Sequence, residues 1–527
     1  MAVTTTAATA DETQPLLLET NSLNGTAASA FAAIADLRGE TEVTCSPSDE
    51  STVVDFDPSG DSDSPLDWPT PFKWSIVLML AMMGFTITFT CISVVPLASH
   101  IARDLSGSDD GATKAASVLL VTIWELGESA GPLLIAPLSE LFGRYAVVNG
   151  ANVLFILATI LAATSSSVSQ FVVARCLTGL AVATNVLSPA IVGDMFVSEE
   201  RGSALSLVFL APLVGGAVGP AISGLIAEHF GWRAVVWLSA VLSTLCEVLF
   251  FTFFRETYKV AILRRRAARM TRIIGKPFRT AFDKDQSDMS QTNKSGLKRL
   301  RDSILRPGIV LSGSGVLMAI SVFGSISFSF YYVMAVTVAD IARDVYGLSP
   351  SMAGLCFMSF SAGSTISVFA CNHSLDSIYI RMRDAAGKGV GRPEYRLPLT
   401  IVGAFAMPLA VAAYGWTAQL QLPVVFLLLS LALFGACMMI SLIPLMAYIV
   451  DAFGLYSASA MTGIIVTRCL MGTFLPLATT PLVANFGYGW GMSVFAASSL
   501  AIAPIPVLIM RYGAKWRQCS VYSRDGQ

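Results

Sequence analysis

Four ionisable side chains interrupt stretches of this sequence that are otherwise apolar: Glu125, Glu128, Arg175 and Arg468. A charge at mid-bilayer costs about 2.5–3.5 kcal/mol even on the lenient insertion scale, so each must face a partner or a water-filled cavity. Glu125 and Glu128 lie three positions apart and therefore share one face of a helix. An enclosed acid beside a cation is an arrangement suited to binding and releasing a proton. Glu128 is the first candidate for that chemistry and Glu125 the second, with Arg175 or Arg468 as the cation that responds. Arg175 is expected to pair with one of the two glutamates. Glu247 and Asp451 are weaker candidates, since either position also suits a structural or interfacial acid.

Holding such groups needs helices that cross a membrane. Of the 527 residues, 54% are hydrophobic and 13% charged, with a mean hydropathy of +0.65; a soluble domain carries roughly a quarter charged residues. Apolar runs stand near 74–98, 114–137, 145–164, 170–192, 203–227, 233–254, 309–338, 351–371, 397–414, 422–449, 457–483 and 488–510. Runs of about 18 to 30 residues suffice to cross ~30 Å of hydrocarbon. Unpaired backbone groups are costly in lipid, so these runs are expected to be helices, with Pro212 and Pro444 marking kinks or close contacts.

The runs fall into two sets of six, at 74–254 and 307–511, joined by a basic linker at 255–306 and followed by a short tail at 512–527. Residues 1–73 hold thirteen Asp and Glu against Arg38 and Lys73, and read as a disordered acidic tail. Residues 1–20 lack a cleavable signal pattern, so the first span is expected to direct insertion. With the N-terminus in the cytoplasm, cytoplasmic segments carry 28 of the 34 Lys and Arg, fifteen of them in the linker. That excess orients the chain, with both termini inside and the linker against anionic lipid. The Asn-x-Ser/Thr sequons at Asn24, Asn293 and Asn372 all fall on this inner side. No N-glycan is expected, and one on any of the three would overturn the topology.

The halves carry traces of duplication. Ile101-Ala102-Arg103-Asp104 follows the first run, and Ile341-Ala342-Arg343-Asp344 follows the seventh. Phe230-Gly231-Trp232 links runs five and six, and Phe486-Gly487-Tyr488 links runs eleven and twelve. Matched positions in both halves point to a repeated six-helix unit. Other functions find no support. A nucleotide-driven pump would need a Gly-x-x-x-x-Gly-Lys-Ser/Thr loop, which is absent. Three scattered histidines, His100, His229 and His373, argue against a metal site and against an enzyme built on one. Nine cysteines without a CxxC pair read as small core residues, and nothing points to nucleic acid.

Three motifs carry a resemblance. Ala136-Pro137-Leu138-Ser139-Glu140-Leu141-Phe142-Gly143-Arg144 resembles the cytoplasmic loop signature of the major facilitator superfamily, Gly-x-Leu-x-Asp-Arg-x-Gly-Arg, with Ala136 and Leu141 as departures. Val173-Ala174-Arg175-Cys176-Leu177-Thr178-Gly179 is similar to that family's Arg-x-x-x-Gly segment. Gly215-Gly216-Ala217-Val218-Gly219-Pro220-Ala221-Ile222-Ser223-Gly224 resembles the Gly-x-x-x-Gly-Pro-x-x-Gly-Gly pattern of its antiporter branch, with Ser223 as the departure. Pro65-Leu66-Asp67-Trp68-Pro69, Phe254-Arg255-Glu256-Thr257-Tyr258 and Arg392-Pro393-Glu394-Tyr395-Arg396-Leu397-Pro398 resemble stretches of the fungal twelve-span drug:proton antiporters. That subfamily exports drugs, polyamines and secondary metabolites.

The resemblance implies an all-α membrane fold of twelve helices in two six-helix bundles related by a pseudo-twofold repeat. It implies a latch in which Glu140, Gly143 and Arg144 close the bundles on the inner side, and a tight helix contact built on Gly215, Gly219, Pro220 and Gly224. Spans one, four, seven and ten would line the cavity, offering Phe85, Phe89, Asn185, Phe328, Tyr331, Tyr332 and Tyr448. Aromatic walls suit a bulky amphipathic or weakly cationic solute. The expected activity is proton-coupled export of a small molecule by a monomer, with the proton gradient in place of a cofactor. An importer, a polyamine transporter or a non-transporting sensor on the same fold are the alternatives. The plasma membrane is expected, with a vacuolar membrane as the alternative, since Glu12-Thr13-Gln14-Pro15-Leu16-Leu17 fits an acidic dileucine signal.

Overall fold

Proline and glycine positions set where each apolar run starts and stops. In this computed structural model, residues 53–57, 60–107, 111–197, 200–275, 278–280, 296–386 and 391–523 are described. The bulk of the acidic segment, the Leu16-Leu17 pair, Asn24 and Asn293 lie outside the described residues. Span one runs Thr70–Ile92 with Pro71 in its first turn, where a missing N–H is harmless. It continues beyond Pro96 as Ala98–Ser106. Span two is Gly111–Phe142, span three Arg144–Ala163, span five Arg201–Phe230 and span six Trp232–Phe253. Span four is broken into Val168–Leu180 and Thr184–Met195, where the sequence suggested one continuous run.

In the second half, span seven is Gly315–Asp344, span eight Pro350–Ala385, span nine Pro398–Gln419 and span ten Val424–Phe453. Ser314 and Ser349 cap spans seven and eight, their hydroxyls accepting from the amides of Leu317 and Met352. Among the described residues, ten helices can cross a membrane by length and composition, the last a 62-residue segment, Ser457–Gln518. That segment holds two passes. Gly487 breaks it with φ 73° and ψ 177°, nearly the φ 79° and ψ 167° of Gly231 between spans five and six. Only glycine adopts that conformation without strain. Span eleven thus runs Ser457 to Phe486 and span twelve Tyr488 to Gln518. With the two-part span four, the described residues make twelve passes.

Within the first half, span one packs on five, two on four, and three on four and six. In the second half, span seven packs on eleven, eight on ten, and nine on ten and twelve. The halves meet where span two faces eleven and span five faces eight. We call the end carrying residues 144 and 255 the linker face, and the end carrying 230 and 350 the far face.

The acidic segment was expected to reach residue 73, but residues 61–69 are packed at the linker face. Pro65–Asp67 form a 3-10 turn. Trp68 is buried, its Nε1 donating to the Ser62 carbonyl at 3.2 Å, and Lys73 Nζ donates to the Leu66 carbonyl at 2.6 Å. The reason lies in the linker: the helix Lys259–Ile274 presents Arg266 to the carboxylate of Asp61, which sits 8% exposed. Backbone hydrogen bonding at Asp63, reinforced by Arg266, holds the Asp61 carboxyl below the usual carboxylate range.

Candidate functional site

Between the two halves lies a cavity of about 450 Å³, within the size range of small-molecule sites. Its walls come from spans one, two, five, seven, eight, ten and eleven, with Ser188 added from span four. Most of the lining is apolar, and Glu125, Glu128 and Arg468 supply its charged side chains.

Glu125 is 2% exposed. Its Oε1 accepts from the Tyr332 hydroxyl at 2.6 Å, while Oε2 has no hydrogen-bond partner among the described residues. Gly472 of span eleven lies against the Glu125 carboxyl, so that any Cβ at 472 would sit 3.5 Å from it. Since Glu125 belongs to span two and Tyr332 to span seven, this hydrogen bond crosses between the halves. Glu128 is only part-buried and accepts from Trp124 Nε1 at 3.1 Å on its own helix. Of the two acids, Glu125 is thus the more enclosed and the one bonded to the other half.

The two intramembrane arginines part company. Arg175, 2% exposed, donates to the carbonyls of Thr90 at 3.0 Å, Cys91 at 2.9 Å and Leu120 at 3.4 Å, and stacks on Trp124 at 4.6 Å. No carboxylate lies within 4 Å of it among the described residues, so the expected glutamate partner is replaced by backbone. Span one ends at Ile92, and the last carbonyls of a helix lack an intrahelical partner. Arg468 instead lies over the Phe328 ring at 4.2 Å, with its Nε buried and without a hydrogen-bond partner among the described residues, and lines the cavity.

Of the expected aromatic wall, Phe328, Tyr331 and Tyr332 line the cavity. Phe85 and Phe89 do not: they stack on each other at 6.1 Å and pack against span five, where a Cβ on Gly215 would come 2.7 Å from the Phe85 carbonyl. Tyr448 is buried in the core of the second half with Leu445 and Ile449. Asn185 sits on the second segment of span four, and its side chain is outside the described residues. Sequence reasoning missed Trp124, Phe357, Phe360, Met438 and Met439. The positions 357, 360, 361, 364 and 365 recur on one helical face, which was the available signal.

Residues 74–476 match the Major Facilitator Superfamily. The chain belongs to that superfamily. Among relatives, the "Efflux pump radE" of Floropilus chiversii is 30% identical, over 89% of this chain and 85% of its own length. The "MFS transporter cpaT" of Aspergillus oryzae is also 30% identical, over 92% and 95%. A D-xylose-proton symporter superposes with a TM-score of 0.64 at 17% identity, covering 83% of this chain and 97% of its own. The chain is therefore a multi-pass membrane transporter with the two-bundle facilitator fold.

In this facilitator the linker-face loop differs from expectation. Arg144 Nε lies 3.5 Å from Asp194 Oδ2 at the end of span four, its guanidinium bonds Ser139 Oγ, and its amide donates to Glu256 Oε1 at 2.7 Å. Glu140, the acid expected in the latch, is exposed. The cluster is thus internal to the first bundle, because Asp194 reaches Arg144 from the end of span four and Glu256 from the non-helical segment after span six. The second half repeats it: Arg396 bonds Asp451 at 2.9 Å and Asp376 at 2.6 Å, and Arg517 bonds Glu394 at 2.9 Å. Asp451, a weak proton candidate by sequence, is thereby part of a salt bridge at the linker face. Glu247 accepts from Asn152 at 2.8 Å inside the first bundle, away from the cavity. Gly143 has φ 94° and ψ 161°, and a Cβ there would strike Glu256. Gly143→Ala is expected to lower stability by about 1–3 kcal/mol, read as a fall in the unfolding temperature of the purified protein. An unchanged unfolding temperature would refute this account of the loop.

At the far face the halves touch backbone to backbone. A Cβ on Gly224 would strike the Pro350 carbonyl, and one on Gly354 the Pro220 carbonyl. Ser99 Oγ donates to Asp340 Oδ1 at 2.9 Å, and the Ser351 amide donates to Glu228 Oε1 at 3.1 Å. The antiporter-like glycines therefore serve two contacts, Gly215 and Gly219 against span one, and Pro220 and Gly224 against span eight.

Proposed function

We propose that this transporter exports small amphipathic molecules in exchange for protons, by alternating access of the central cavity. The observation that carries the reading is the Glu125–Tyr332 hydrogen bond, which lies in an apolar cavity and crosses between the bundles. A carboxylate accepts a strong, short bond from a phenol, and a protonated carboxyl accepts a weaker one. Loading a proton on Glu125 therefore loosens a contact between the halves, which is how an ion gradient biases a two-state equilibrium. Arg468 is the cation that responds, since its guanidinium faces the same cavity and stays charged.

Export rather than import is supported by the "Efflux pump" relative and by the antiporter-like glycine pattern of span five. The basic linker supports a cytoplasmic linker face, with both termini inside. The plasma membrane is the proposed location and a vacuolar membrane the alternative. The proton gradient takes the place of a cofactor, and the two bundles of one chain suffice for a working monomer.

The experiment is uptake of labelled drugs, polyamines and fungal metabolites into inside-out vesicles, with and without an inside-acid pH gradient. Gradient-dependent accumulation of one class is the expected result. Uptake indifferent to the gradient makes the protein a facilitator, and gradient-driven loss of the solute makes it an importer. Either outcome removes the role assigned to Glu125.

A further inference from the structure

Four guanidiniums converge at the linker face, in a pocket apart from the transport cavity. The pocket encloses about 250 Å³ and is walled by the segment ahead of span one, the end of span six and the linker helix Lys259–Ile274. Arg265, Arg266 and Arg269 line it from that helix and Arg255 from the residues after span six, while Trp68 and Ile262 add apolar surface. Two acids face these cations in the lining, Asp63 and Glu256. Arg266 is bound to Asp61. Arg265 lies 3.5 Å from Glu256 Oε2, and the other oxygen of that carboxylate is taken by the amides of Arg144 and Tyr258. Arg255 stands over the Phe72 ring at 5.2 Å, and neither it nor Arg269 has a carboxylate within 4 Å among the described residues. Arg255, Arg265 and Arg269 are all exposed, so their charged ends are open to a ligand.

We propose that this pocket binds the phosphomonoester of a lipid headgroup, such as that of phosphatidylinositol 4-phosphate, in the leaflet on the linker face. Guanidinium forks pair with phosphate oxygens two at a time. A phosphomonoester brings about two negative charges and three acceptor oxygens to such a cluster, whereas phosphatidylserine carries its phosphate only as a diester. The depth of the pocket suits a lipid. Trp68 stands two residues before span one begins and Arg255 two residues after span six ends, so the pocket lies where hydrocarbon gives way to headgroups. The linker helix has the matching composition: Ile273 and Ile274 at its end are 76% and 54% exposed, among the basic residues Arg269 and Arg272, as in a helix that lies on a membrane surface. A headgroup held here bridges the segment ahead of span one, the end of span six and the linker helix. The phosphoinositide content of that leaflet then sets how firmly the linker is fastened to the first bundle.

The test is native mass spectrometry of the full-length protein in detergent, with phosphatidylinositol 4-phosphate, phosphatidylserine or inorganic phosphate added. The wild type is expected to retain the phosphoinositide in preference to phosphatidylserine, and to keep it against an equal concentration of inorganic phosphate. Arg255→Gln combined with Arg269→Gln should weaken that retention about thirtyfold, the product of two basic side chains at an anionic surface. Arg272→Gln should change it little, since Arg272 is an exposed arginine of the same helix outside the pocket lining. An unchanged unfolding temperature without added lipid shows that the double variant is folded. A footprint of the wild type gives the same answer without substitution: with the phosphoinositide bound, phenylglyoxal is expected to spare Arg255 and Arg269 and still to modify Arg272. Equal retention of the two lipids, an equal loss in Arg272→Gln, or arginines modified alike with and without the lipid would overturn the proposal. Displacement by inorganic phosphate would overturn it as well, and would assign the pocket to a soluble phosphate.

Discussion

Glu125→Gln is expected to reduce gradient-driven accumulation about tenfold or more, the scale of a coupling free energy of 1–3 kcal/mol, while solute exchange without a gradient persists. Glutamine keeps the size and one acceptor oxygen, so it can hold the Tyr332 hydroxyl, but it cannot cycle between charged and neutral forms. The halves then lose their response to protons without losing the cavity. Tyr332→Phe removes the same bond, 2.6 Å long, from the other side and is expected to weaken coupling in the same direction. Glu128→Gln should do less, because the hydrogen bond of the Glu128 carboxyl is to Trp124 on its own helix. The decisive measurement is the ratio of gradient-driven to gradient-free uptake. A purely structural role for Glu125 would lower both together, and equal losses would refute the coupling mechanism.

Much of the fold was legible in the sequence because membrane helices obey length and composition. The repeated motifs proved legible in a finer sense. Asp104 of the first Ile-Ala-Arg-Asp accepts from Trp232 Nε1 and Arg233 Nη1, each at 2.9 Å, so the two motifs of the first half meet at the far face. In the second half Gly489 stands where Arg233 does in the first, and Asp344 bonds Arg343 instead at 2.7 Å. Tyr488, Arg343 and Asp344 still line one small far-face cavity. The stretches resembling fungal antiporters likewise gather at the linker face: Trp68 packs on Phe72 at 5.3 Å, Glu256 holds the Arg144 amide, and Arg396 and Glu394 anchor the mirrored cluster.

The site was less legible, for a physical reason. A span list assigns polar and aromatic residues to a cavity by helix number, whereas lining depends on helix rotation and on where a helix breaks. Phe85 and Phe89 belong to a lining span but rotate toward the glycines of span five. Spans five and eight, absent from the expected lining, supply Phe209, Leu213, Phe357 and Phe360. Backbone partners are invisible in a pattern of side chains, so nothing in the sequence around Arg175 announced that its ligands would be carbonyls.

That last point makes Arg175 the residue whose loss should most affect stability. Its guanidinium bonds Thr90 and Cys91 at the end of one helix segment and Leu120 on another. Removing it leaves the carbonyls of three buried residues without that partner. Hydrogen bonds to a charged group are worth about 1.5–3 kcal/mol each in soluble proteins, and interhelical bonds in membranes average less, about 0.6 kcal/mol. Arg175→Met is accordingly expected to lose about 2–4 kcal/mol of stability, on the scale of those two values, and to yield little folded protein. Arg175→Lys keeps the charge but not the planar fork that reaches two successive carbonyls, so it should fold with a lowered unfolding temperature. In the folded fraction the ratio of gradient-driven to gradient-free uptake should match the wild type, because Arg175 bonds backbone and not the acid that takes the proton. A lysine variant with normal stability and a collapsed ratio would instead place Arg175 in the coupling machinery, through its contact with Trp124 and from there to Glu128.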